Sequence, residues 1–168
     1  MHVGVAAVEA RADALVYVIG KRLAEQRPEL IARALFPAVP DLSSLLAAAV
    51  RVGRQEGAKD AAGAALDASL SAILIPQERE GIRQVVMQAP NAFGLVDVKR
   101  WSQAADLSSM RAGLLLSGDV GPARKTILAE PQSPSDMPPR EKVGELYKFA
   151  TSDLYTDLRG AIGVAVQS

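Results

Sequence analysis

The chain has 168 residues, 49% hydrophobic and 23% charged, and its 19 lysines and arginines are balanced by 19 acidic residues. This is the composition of a globular domain, long enough to bury roughly 70% of the surface its unfolded form exposes, and a formal charge of zero provides no global field for nucleic acid or an anionic membrane. With no cysteine, disulfides and thiolate metal sites are excluded, and the single histidine is His2, so any chemistry rests on carboxylates, Arg, Lys, Ser, Thr and Tyr.

Glu9, Arg11 and Asp13 interrupt the opening before a secretory apolar region can develop, and no run of 18 apolar residues follows. The expectation is a cytoplasmic protein without a membrane span. Residues 2–8 are the only stretch with an extended character. Leu15, Ile19 and Leu23, with Val16 and Gly20 in a parallel row, predict an amphipathic helix over 9–26, stopped by Pro28. Pro28 and Glu29 open a short helix through Leu35, and the prolines of 37–40 break it. Asp41 reads as the N-cap of a third helix over 42–52. The alanines at 61, 62, 64 and 65, leading into Leu66, Leu70, Ile73 and Leu74, predict a tightly packed helix that Pro76 ends.

Glu78 and Glu80 ahead of Ile82, Val85 and Val86 predict a helix over 77–88, its acidic start favoured by the helix dipole. After a loop at Pro90-Asn91, Val98, Trp101, Ala105, Ala112 and Leu115 predict a long helix over 97–116, with Trp101 as a core anchor and Gly118 as the cap. Gly121 and Pro122 restart the chain into a helix through about 129. Residues 131–140 hold four prolines and are expected to form a mobile loop, the first place a protease cuts. Two helices follow, over 141–150 and 152–162, with Thr151 or Ser152 as the second N-cap. The whole reads as all-α, a single irregular domain over 1–168 with seven or eight helices, little or no strand and no repeat of helical-array length.

Familiar catalytic patterns are missing. Ser108-Ser109 lies mid-helix, away from any strand-to-helix elbow. The glycines of 117–122 lack the lysine and spacing of a phosphate loop. Lys99, Arg100 and Arg111 around Trp101 have the residue types of a single-strand platform, but a helix anchored in the core by its tryptophan is the favoured reading, so no nucleic-acid partner is expected.

Residues 17–25, Tyr-Val-Ile-Gly-Lys-Arg-Leu-Ala-Glu, resemble the zinc helix of the M48-like metallopeptidases, which typically reads aromatic-Val-Ile-Gly-His-Glu-Leu-Gly-His. In an active zincin the two histidines ligate the metal and the intervening glutamate is the general base. Those positions hold Lys21, Glu25 and Arg22 here. Residues 101–115 are similar to the family's later helix, with its Glu-Leu-Ser-Ala-Asp-Arg-Ala-Gly-Leu pattern. Its zinc-binding glutamate is replaced by Asp106 and its supporting aspartate by Met110, while Arg111, Ala112 and Gly113 keep the frame. Arg27-Pro28-Glu29 and Ser152-Asp153-Leu154-Tyr155 resemble the carboxy-terminal regions of large, poorly characterised bacterial proteins.

These resemblances imply a decayed, metal-free relative, a pseudoenzyme without catalytic residues, metal or cofactor. Its expected role is a protein-interaction or scaffolding domain that binds another protein or its own copy. Lys21, Arg22, Glu25, Asp106 and Met110 mark the former site; its charged members read as an ion-pair cluster, either with Lys21 supplying the charge that keeps a partly buried Asp106 ionised or with the helix rotated so that Lys21 and Arg22 simply reach water. The alternative is a metal-independent enzyme with a pocket rebuilt around Glu25 and Asp106.

Overall fold

The computed structural model of the chain describes residues 3–130 and 135–163, with side chains from residue 12 onward. The described residues form nine α-helices and no strand, so the all-α class holds. The helix count exceeds the expected seven or eight, although each of the nine corresponds to a segment read separately along the sequence.

Helix α1 (Val3–Glu25) already begins at Val3, replacing the extended character expected for the opening residues; His2 lies outside the described residues. A 3-10 turn, Pro28–Leu30, leads into the five-residue α2 (Ile31–Leu35). Helix α3 (Val39–Arg54) starts earlier than expected, with Ala38 at the N-cap and Pro40 inside the first turn. Asp41 is therefore a first-turn acid rather than the cap, because a proline at this position fixes helical φ and has no N–H to leave unpaired.

Asp60 caps α4 (Ala61–Ile73) by accepting from the Gly63 N–H at 2.7 Å. Pro76 both ends that run and opens α5 (Pro76–Gln88), where the Glu78 carboxylate accepts from the Ile75 N–H at 3.0 Å. Helix α6 (Val98–Ser117) closes at Gly118, whose φ of +70° allows its N–H to reach the Leu114 carbonyl at 2.8 Å. Asp119 caps α7 (Val120–Ala129), and Ser152 caps α9 (Asp153–Ala161) as one of the two expected candidates. Between these lies α8 (Pro139–Ala150).

Part of the expected mobile loop, 131–134, lies outside the described residues. The remainder is anchored: Ser135 and Met137 are buried, Asp136 turns between them at φ +56°, and α8 begins at Pro139.

The chain divides into two compact units: residues up to Leu35 together with those from Lys99 onward, and residues 36–98. In the first unit Tyr17, Met110, Leu114, Ile127, Leu146 and Phe149 form the centre of a core, with the Tyr155 ring edge-on to Phe149 at 5.4 Å. Trp101, expected as an anchor, is half-buried on α6. In the second unit α3 packs against α4 and α5, where Gly53 lies under Val86 and Arg51 forms a bidentate pair with Asp67.

The row that marks α1 as amphipathic is not its buried face. Tyr17, Gly20 and Lys21 turn inward, while Leu15, Ile19 and Leu23 are 59%, 47% and 62% exposed. Close helix contact decides the rotation. A side chain at Gly113 would stand 2.6 Å from the Tyr17 carbonyl oxygen, and one at Gly20 would stand 3.0 Å from the Gly113 Cα. Only glycine lets α1 and α6 touch there, and the Tyr17 ring fills the space beside it.

Candidate functional site

The glycine contact joins the two segments that carry the peptidase resemblance, since Gly20 belongs to the first and Gly113 to the second. Beside it, Asp106 and Met110 lie on the buried side of α6, with Ser102, Ala105 and Ser109 on the same face. Small side chains there leave room for long ones arriving from other elements.

Three such groups converge on the Asp106 carboxylate. Lys142 Nζ is 2.5 Å from Oδ2, an Arg33 guanidinium nitrogen is 3.1 Å from Oδ1, and the Ser135 hydroxyl donates to Oδ2 at 2.9 Å. The charged side chains are almost sealed: Asp106 and Lys142 are each 3% exposed and Arg33 10%. Arg33 Nε also donates to the Ser102 hydroxyl at 3.2 Å, so the guanidinium bridges two positions of α6 one turn apart. Taking a carboxylate out of water costs several kcal/mol unless it is paired and hydrogen-bonded. Two cations and a hydroxyl supply that compensation here.

Lys21 is buried as well, but its ammonium lies 2.6 Å from Glu130 at the end of α7. The expected pairing of Lys21 with Asp106 does not form: Lys21 is spent on Glu130, and the cations on Asp106 are Lys142 of α8 and Arg33 of α2. Arg22 is exposed and pairs with Glu25 one turn on, at 2.7 Å, while Met110 packs in the core against Tyr17. Of the five residues singled out in the sequence, then, Lys21, Asp106 and Met110 are buried, and Arg22 pairs with Glu25.

Tyr17 is completely buried, and its hydroxyl makes no hydrogen bond among the described residues. Burial pushes its pKa well above the ordinary tyrosine value, and the negative charges of Glu130, Asp106 and Glu25 push it further. The phenol is therefore held neutral, and the centre contains no additional anion.

Sequence reasoning missed Arg33, Lys142, Glu130 and Ser135. For Lys142 a signal existed: it shares a helical face with Leu146 and Phe149, four and seven residues on, and it stands in the first turn of α8, where the helix dipole disfavours a cation. A lysine at that position on an apolar stripe calls for a buried carboxylate. Ser135, in a proline-rich segment, carried no comparable signal.

As a chemical device the centre is closed. The Asp106 oxygens are taken by cations and a hydroxyl, Glu25 is held by Arg22, and no group of three acidic or histidine side chains able to hold a metal occurs among the described residues. Comparison with known families, with curated proteins and with solved structures finds no match for this chain.

Proposed function

We propose that this chain is a non-catalytic protein-interaction or scaffolding domain, a decayed relative of the M48-like peptidases in which an ion-pair centre stands where the metal chemistry was. The observation that carries the interaction reading is the outward apolar row of α1: Leu15, Ile19 and Leu23 are each about half exposed or more and lie on one face, where solvent alone would favour polar residues. The peptidase ancestry is supported by the contact of the two motif segments at Gly20 and Gly113. The rebuilt-enzyme alternative loses its support because Asp106 and Glu25 spend their oxygens on neighbouring cations.

The test replaces Ile19 and Leu23 together by aspartate. The variant should keep its far-UV circular dichroism and its urea midpoint while losing the specific proteins that cross-link to the wild-type chain in its native cell extract. Unfolding of the variant would assign the row to the core, and an unchanged cross-linking pattern would remove α1 from the contact surface. Metal analysis after dialysis addresses the decayed site independently: the expected result is no stoichiometric zinc, and one zinc retained per chain would overturn the pseudoenzyme reading.

A further inference from the structure

We infer that α2 is a releasable strap: the segment Ile31–Leu35 lifts off α6 while the rest of the first unit stays folded, and Arg33 is the latch that closes it. The device is separate from the α1 face and holds whether or not that face binds a partner.

A helix of five residues is too short to stand on its own hydrogen bonds, so α2 depends on what it docks against. Apolar burial supplies little. None of its residues is buried, and Ile31 and Leu35 are 46% and 70% exposed. Leu30, in the turn just before it, is buried and fixes the pivot. Among the described residues Arg33 is the one α2 side chain with a polar contact, reaching Asp106 Oδ1 at 3.1 Å and the Ser102 hydroxyl at 3.2 Å.

The core does not need this latch for its charge balance. The Lys142 ammonium neutralises Asp106 at Oδ2, where the Ser135 hydroxyl also donates, and Lys21 with Glu130 is a second neutral pair. Arg33 is thus an additional cation on a carboxylate that one cation already balances, and moving it into water recovers hydration that burial removed. Lys142 is fixed by contrast, since Val143, Leu146 and Phe149 of its own helix are buried in the core. The closed strap gains two hydrogen bonds and the open one gains a hydrated guanidinium and chain freedom, the balance that places a segment at the low-stability end of a fold. Residue 36 begins the second unit, so the strap governs the slack in one of the two chain connections between the units.

The chain has no cysteine, so a single thiol placed under the latch reports on it alone. Ser102 and Ser109 are both fully buried on α6; Ser102 meets Arg33, whereas Ser109 bonds the Ala105 carbonyl within its own helix. In native buffer Ser102→Cys should react with a thiol reagent roughly 100-fold faster than Ser109→Cys. Its rate should stay flat in low urea while that of Ser109→Cys climbs, because lifting a strap exposes far less surface than unfolding the unit. Adding Arg33→Met should speed labelling of Ser102→Cys about tenfold. Trypsin reads the wild-type chain directly, since it cuts after Arg33 only by taking that side chain into its own pocket. Cleavage there should proceed in urea that leaves the circular dichroism unchanged. Equal rates and a common urea slope for the two thiols, or cleavage at Arg33 that waits for unfolding, would overturn the strap. Labelling of Ser102→Cys that Arg33→Met leaves unchanged would overturn the latch.

Discussion

The two compact units have similar helical content and very different interiors. In the first, five helices contribute to a core that seals Tyr17, Met110, Leu114, Ile127 and Leu146, and buried charges are tied to it through Asp106. In the second, Leu42, Ala48, Gly53 and Val86 are the buried residues, while Ile73 and Leu95 are 78% and 85% exposed. Helix α4 is the clearest case: it is rich in alanine and leucine, yet none of its residues is buried. Hydrophobic content alone does not make a core. Large side chains must meet from several directions, and a helix of small residues offers little area to bury.

The contrast predicts where substitutions hurt. Asp106→Ala should be the most damaging, lowering stability by about 3–5 kcal/mol, because it leaves the Lys142 ammonium and the Arg33 guanidinium buried without their carboxylate. Urea titration followed by the fluorescence of Trp101, the one tryptophan and a residue of the first unit, measures the effect. A loss below about 1 kcal/mol would mean that the centre is hydrated and that the two interiors differ less than their packing suggests.

A smaller effect separates the glycine contacts. At Gly113 an added methyl meets the Tyr17 backbone oxygen, which cannot move without shifting α1, and Gly113→Ala should cost about 2–3 kcal/mol. At Gly53 in the second unit the nearest atoms are methyls of Val86 and Ile82, and the same change should cost about 1 kcal/mol. Equal costs, measured by thermal unfolding, would show that both contacts yield in the same way.

Tyr17 gives the smallest change, one that depends on pH. Its phenol pKa is raised on folding, first by burial and then by the surrounding carboxylates, so the folded chain holds the proton more tightly than the unfolded chain does. Its contribution is fully present below the ordinary tyrosine pKa of about 10 and declines as pH rises above that value. Tyr17→Phe should therefore change stability by less than about 1 kcal/mol at neutral pH, since the hydroxyl has no partner to lose, and should flatten the alkaline decline. Unfolding midpoints from pH 7 to 11 decide this, and a variant that declines in parallel with the wild type would place the alkaline sensitivity elsewhere.

Much of the helical framework was legible locally. Pro28 and Pro76 stop runs, Ser152 caps a helix, and Gly118 supplies a left-handed turn, each through contacts within four residues along the chain. The candidate site was legible only in part: Asp106 and Lys21 stand out as charges at framework positions, but their partners Lys142 and Glu130 lie 36 and 109 residues away.

Tertiary structure alone decided which face of α1 turns inward. Periodicity marked Leu15, Ile19 and Leu23, yet Tyr17, Gly20 and Lys21 are buried, because the approach to Gly113 and the pairing with Glu130 favour that rotation over burial of three aliphatic side chains. A period records which residues share a face. Which face is covered depends on the shape and charge of what the rest of the chain brings against it, and those distances are set by the fold rather than by neighbours in sequence.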